Sequence, residues 1–284
     1  MNLPTARTSR EYPAVADSPL ICFSHLRWDF VVQRPQHLMQ RFARSRRVYF
    51  FEEWIPTDHH LPYLEFHRFA DTEVVAVRPR VPHDWHGSRL EAALSALLDE
   101  LLWVTHSTRP ILWFYTPMMY ALAAHVDAAA VVYDCMDVLA NFRFAPTDLT
   151  AREAELMKRA DLVFTGGHSI FEEKRKAHRD VYAFPSSVDV EHFAAARRLE
   201  APAPAGKVVL GYYGVIDERL DLDLIADLAG RRPDWTIVMV GPVAKIDPAS
   251  LPLKPNIVWR GQMAYAELPA EVANWTAALM PFSE

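Results

Sequence analysis

Cysteine is scarce: Cys22 and Cys135 are the two in 284 residues. Both fall at predicted strands or strand ends in the first half of the chain. They read as buried thiols that fit a reducing compartment, and their spacing matches no zinc site. A basic excess is missing as well. Lys and Arg number 30 against 36 Asp and Glu, a net charge of −6. Nucleic-acid binders carry a basic stripe, so no such partner is expected. No apolar run approaches the ~20 residues that span a bilayer. Residues 1–18 lack the apolar core of a signal peptide and contain Pro4 and Pro13, which reads as a flexible N-terminal arm. No internal repeat is visible. Gly166-Gly167-His168-Ser169 reads as a turn and cap, because neither a lysine nor a Gly-x-Gly-x-x-Gly pattern accompanies it.

What is present is ordinary core material. Apolar residues make up 51% and charged residues 23%, the balance of a globular protein long enough for two domains. The 8 Trp, 10 Tyr and 15 Phe suit large cores and sugar-stacking surfaces alike.

Short apolar runs alternate with helical patterns. Strands are expected at 20–24, 47–51, 64–66, 74–77, 111–115, 130–133, 161–165 and 181–184. Between them, helices are expected after Pro35, over 90–104, from Asp148 to Arg159 with Thr147 or Asp148 as its cap, and over 169–178. After Ala201-Pro202-Ala203-Pro204-Ala205-Gly206 the alternation restarts. It runs strand 207–213, helix from about 219 to 230, strands 235–240 and 256–259, helix from about 265 to 275, and strand 276–280. The expectation is an α/β chain with two parallel, Rossmann-like sheets: a first domain over 19–193, a linker over 194–206 and a second domain over 207–284. At 78 residues the second is short for its class.

Several segments carry a family resemblance. Pro185-Ser186-Ser187-Val188-Asp189 with Phe193 resembles the Pro-Asn-Gly-Val-Asp…Phe crossover of family 4 glycosyltransferases. Gly211–Arg219 resembles their glycine-rich donor loop, and Asn256–Phe282 resembles the stretch before their donor glutamates. Ser24–Phe30 with Arg34-Pro35-Gln36-His37 is similar to a bacterial subgroup. The resemblance implies a GT-B fold, with an acceptor site mainly on the first domain and a nucleoside-diphosphate sugar on the second. It implies transfer to a carbohydrate or lipid-linked acceptor, with retention of configuration as the family habit, with no cofactor or obligatory metal, in the cytoplasm or at the inner membrane face. In the family an acidic segment and a glutamate-bearing helix follow the last strand. Residue 284 falls before both, so the second domain is expected to be C-terminally truncated and its catalytic competence is open. A nucleotide-sugar 2-epimerase of the same fold and a non-catalytic, ligand- or partner-binding remnant are the alternatives.

The candidate residues follow. A departing diphosphate needs amides and cations. Gly211, Gly214 and Gly241 would allow close backbone approach, and Arg219 and Lys245 would supply charge; the plain alternative is a tight turn with solvated cations. Asp134, at a strand's carboxyl end, would position or deprotonate an acceptor hydroxyl, with Asp137 nearby as either a second acid or a turn cap. His25 follows the first strand and is the second catalytic candidate. Arg34 and His37 would bind an acceptor or donor phosphate. Arg41, Arg44, Arg46 and Arg47 make the first helix and its exit basic, suited to membrane contact or simply to water. No metal site is expected. Asp221-Leu222-Asp223 opens a helix, and residues two apart do not share a helix face.

Overall fold

A computed structural model describes residue 15 and residues 17–142, 145–199 and 207–283. The expected N-terminal arm, and residues 200–206 of the expected linker, fall almost wholly outside these residues. The chain divides into two compact units, Met1–Ser187 and Val188–Glu284.

The first unit runs β1 (Leu20–Ser24), α1 (Arg34–Ala43), β2 (Val48–Glu52), β3 (Ile55–Thr57), β4 (Tyr63–Arg68), β5 (Val75–Pro82), α2 (Gly87–Val104), β6 (Ile111–Phe114), α3 (Tyr120–Ala123), β7 (Ala130–Cys135), α4 (Leu149–Arg159), β8 (Leu162–Thr165), α5 (His168–Lys174) and β9 (Val181–Ala183). Its strands lie in the order β3-β5-β2-β1-β6-β7-β8-β9. Only β4 runs antiparallel, along β5. Strands covered on both faces read as continuous apolar runs, and β1 and β2 are buried at every position. Ile21 and Phe23 feed the core on one face of the sheet, with Leu98 and Leu101 of α2. Leu20 and Cys22 feed the other, with Met39 of α1. Pro35 sits in the first turn of α1, where its missing N–H costs nothing. Strand order reverses between β1 and β6, the place where open α/β sheets bind ligands at their carboxyl ends.

The second unit runs α6 (Val190–Ala194), β10 (Val209–Tyr213), α7 (Leu222–Arg231), β11 (Thr236–Val240), β12 (Ile257–Gly261), α8 (Leu268–Val272) and β13 (Ala277–Ala278). The order β12-β11-β10-β13 is parallel throughout and reverses between β10 and β13. α7 buries Ile225 and Ala229 against Tyr212, Ile237 and Met239.

Several boundaries differ from expectation. The units part after Ser187, not 193, because His192 of α6 stacks on Tyr265 at 4.2 Å and its Nε2 donates to the Tyr265 carbonyl, 2.9 Å away. Residues 194–198, expected as linker, close α6 and form a 3-10 turn. α7 starts at Leu222, since Asp221 Oδ1 accepts from Leu224 N at 2.8 Å and caps it there. Leu224, in the first turn of α7, is 50% exposed. The helix expected over 265–275 is a 3-10 turn followed by five residues of α8. Asp148 is the N-cap of α4 but makes no capping bond with its side chain. Gly167 caps α5 from an extended backbone, as a turn reading requires.

Candidate functional site

In the second unit, the loops after β10 and β11 lie side by side. Ile216 N donates to the Pro242 carbonyl and Ala244 N to the Ile216 carbonyl, each at 2.9 Å. Gly214 (φ +153°) and Gly241 (φ +145°) make this approach feasible: a Cβ on Gly241 would stand 1.8 Å from the Gly214 carbonyl oxygen. Gly211 has another reason to be glycine. A Cβ there would meet the Trp275 ring at 2.0 Å, so its bareness admits an indole and not a ligand. That corrects the donor-loop reading of Gly211.

The cations of these loops are paired. Arg219 Nε and Nη2 donate to the buried Asp217 carboxylate at 3.0 and 2.7 Å, and Arg219 N adds a further bond at 3.1 Å. Lys245 Nζ lies 3.8 Å from Glu218 Oε1, on a residue held at φ +61°. The two acids balance the two bases. Tyr212 Oη donates to the Val215 carbonyl at 3.0 Å. Burial, helped by nearby Asp217, pushes its pKa up to about 12, so it stays a donor at neutral pH.

Amides are engaged too. Gly214 N bonds the Val240 carbonyl, Leu220 N the Asp217 carbonyl and Asp221 N the Pro281 carbonyl. Asp221 caps α7, and Asp223 adds a second negative charge in its first turn. The opening of α7 thus carries the helix's own acids, and Asp221 already takes its Leu224 amide. What these loops offer an anion is chiefly Arg219 and Lys245.

In the first unit, the structure joins two candidates directly. Arg34 Nη2 lies 2.9 Å from Asp134 Oδ1, and Arg34 Nε donates to Asp134 Oδ2 at 3.1 Å. Arg34 Nη1 also donates to the Phe184 carbonyl. Asp134 is wholly buried. Desolvation raises its carboxyl above the ordinary value, against the pull of Arg34. A carboxylate without solvent contact and clasped by a guanidinium does not reach an acceptor hydroxyl. Asp134 holds Arg34, and Arg34 ties β7 to the segment after β9.

His25, the first residue past β1, is half-buried at the reversal point of strand order. His37 lies in α1, where its carbonyl accepts from Arg41 Nη1 at 2.8 Å. Asp137 is half-buried in the turn after β7. Its backbone carbonyl, not its side chain, takes the Leu139 N–H at 3.1 Å. Arg46 donates to the Val15 and Ser18 carbonyls and Arg47 to the Thr105 carbonyl. Those two arginines of the basic stretch are fastened to the fold rather than presented to a membrane.

Sequence reasoning missed Asp217 and Glu218. The only signal was the acidic pair directly before Arg219, which says nothing about side-chain direction. It also missed Glu52, fully buried at the end of β2. Glu52 accepts from Trp28 N at 2.8 Å, Arg27 at 3.1 Å and Arg78 at 2.7 Å, shaping the loop that carries His25. Among the described residues no group of three or more His, Cys, Asp or Glu could hold a metal ion. Nor is any described helix long and apolar enough to cross a membrane.

No family model matches the chain. Over 213 residues it is 29% identical to a Bacillus subtilis (strain 168) protein named "Putative teichuronic acid biosynthesis glycosyltransferase TuaH", covering 67% of this chain and 53% of that one. The chain thus spans about half the length of this curated relative. Sucrose-phosphate synthase from Thermosynechococcus elongatus superposes with a TM-score of 0.65 at 14% identity, covering 94% of this chain and 77% of the synthase. Anabaena HepE, in complex with UDP and glucose, gives 0.61 at 14%, covering 91% and 73%. The catalytic domain of Arabidopsis thaliana starch synthase IV, bound to ADP and acarbose, gives 0.60 at 10%, covering 94% and 78%. Two sheets, parallel but for β4, their strand orders and these likenesses agree: the chain has the GT-B fold.

Proposed function

We propose that this chain transfers a sugar, with retention, from a nucleoside-diphosphate donor to a carbohydrate or lipid-linked acceptor. The observation that carries the reading is the 29% identity to a glycosyltransferase over 213 residues, on a fold matched across 94% of the chain. Neighbours crystallised with UDP and with ADP support a nucleoside diphosphate as the ligand class.

The donor diphosphate binds the loops after β10 and β11, where Arg219 and Lys245 meet the negative charge that grows as the leaving group departs. Cations held in place do this without a metal ion or cofactor. The acceptor binds the first unit at the β1/β6 reversal, with His25 as the residue that touches it. The two buried free cysteines fit a reducing, cytoplasmic setting. A second reading, ligand binding without turnover, is favoured by the charge balance of the donor loops.

The test is a thermal-shift panel of UDP, ADP and GDP followed by a transfer assay with the matching sugar donors. Stabilisation by one nucleotide, with turnover falling about 100-fold in Arg219→Ala, is the expected result. Stabilisation with no turnover selects the second reading, and unchanged turnover in Arg219→Ala removes the donor site from these loops.

A further inference from the structure

We propose that Asp217 and Glu218 are built-in counter-charges that weaken the grip of the donor loops on a nucleoside diphosphate and so let that product leave. The proposal rests on the donor reading above and adds to it what limits affinity.

Asp217 is 4% exposed and fixed by its four bonds to Arg219. The Glu218 side chain is 13% exposed, and among the described residues neither of its oxygens accepts a hydrogen bond. Its partner is Lys245 at 3.8 Å, longer than a charge-assisted hydrogen bond. The two pairs sit on adjoining loops locked together through Ile216. An arriving diphosphate therefore meets two neutral ion pairs, not two cations. Each carboxylate repels it at short range, where partial burial leaves the charge poorly screened. Because so many amides of the 214–222 stretch bond within the protein, the cations are the main attraction left, and halving their effect matters.

A competing effect has the opposite sign. Asp217 also orients Arg219, and pre-orientation aids binding. Asp217→Asn separates the two. The Asn side-chain oxygen still accepts from Arg219 N and holds the turn, while a full negative charge beside a multiply charged ligand vanishes. Glu218→Gln is the cleaner change still, since Glu218 accepts no hydrogen bond that could be lost. Removal of charge outweighs loss of orientation in both.

Calorimetric titration of UDP, ADP and GDP into wild type, D217N, E218Q and R219A, at low and high salt, tests this. The nucleotide that binds wild type should bind D217N and E218Q about 10-fold tighter, roughly 1.4 kcal/mol, with a steeper loss of affinity on adding salt. R219A should bind it more weakly. Wild-type binding with no gain in either variant overturns the counter-charge role and leaves the donor reading standing. No binding by any of the four proteins removes the donor reading and this inference with it. Should D217N melt early, E218Q alone decides the sign.

Discussion

At Asp134 a single carboxylate reports how the first unit balances burial against charge. Burial lifts its pKa, so the folded chain holds this proton more tightly than the unfolded chain. In the pH window between its unfolded and folded values, the native state binds more protons, and its stability falls as pH rises. Asp134→Asn cannot titrate. The wild-type advantage over it should therefore be largest near the acid end of that window and shrink towards neutrality, as urea unfolding at several pH values would reveal. A constant gap would show that Asp134 is not the titrating group. At neutral pH the variant should still be less stable by about 1–3 kcal/mol, because the half-buried Arg34 loses its counter-charge. The position was legible beforehand: Val131-Val132-Tyr133 announced a strand whose carboxyl end was Asp134. The partner was not, since Arg34 lies 100 residues away and no periodicity links them.

Elements were legible where burial is two-sided and obscure where it is not. β1, β2, β6 and β7 are apolar runs covered on both faces, and such runs name themselves. β3 was invisible. It is three residues long, none of them fully buried, with a proline in the middle, and its existence depends on pairing with β5. The start of α7 was expected near 219, whereas Asp221 captures the Leu224 amide and fixes the boundary at Leu222. Gly211 was assigned to ligand approach for want of knowledge of Trp275, whose indole Nε1 is held by Glu271 at 3.2 Å. Gly211→Ala should cost about 1–3 kcal/mol by overpacking. Combined with Trp275→Ala, the two costs should sum to more than the double variant loses, because the clash disappears with the ring. Strict additivity in chemical denaturation would place the clash elsewhere.

Across the whole molecule, each unit carries its own apolar interior. Every residue of the two large cores on the β1–β9 sheet lies before Ser187, and the β10–β13 core lies after it. A fragment of residues 1–187 should consequently unfold cooperatively on heating, with the circular dichroism of an α/β domain. A broad, featureless melt would mean that the first unit depends on the second. The division into two sheets was readable from the restart of strand–helix alternation after the Ala/Pro stretch. The place of the cut was not, because α6 joins the second unit through aromatic stacking that only three dimensions provide.

The last described residues have an unexpected reach. Leu279 N bonds the Gly211 carbonyl, Asp221 N bonds the Pro281 carbonyl, and Ser283 donates twice to the Arg219 carbonyl. Residues 279–283 thus splint the segment that presents the guanidinium. A substitution such as Ser283→Ala, far along the chain from Arg219, should therefore loosen that side chain without touching it.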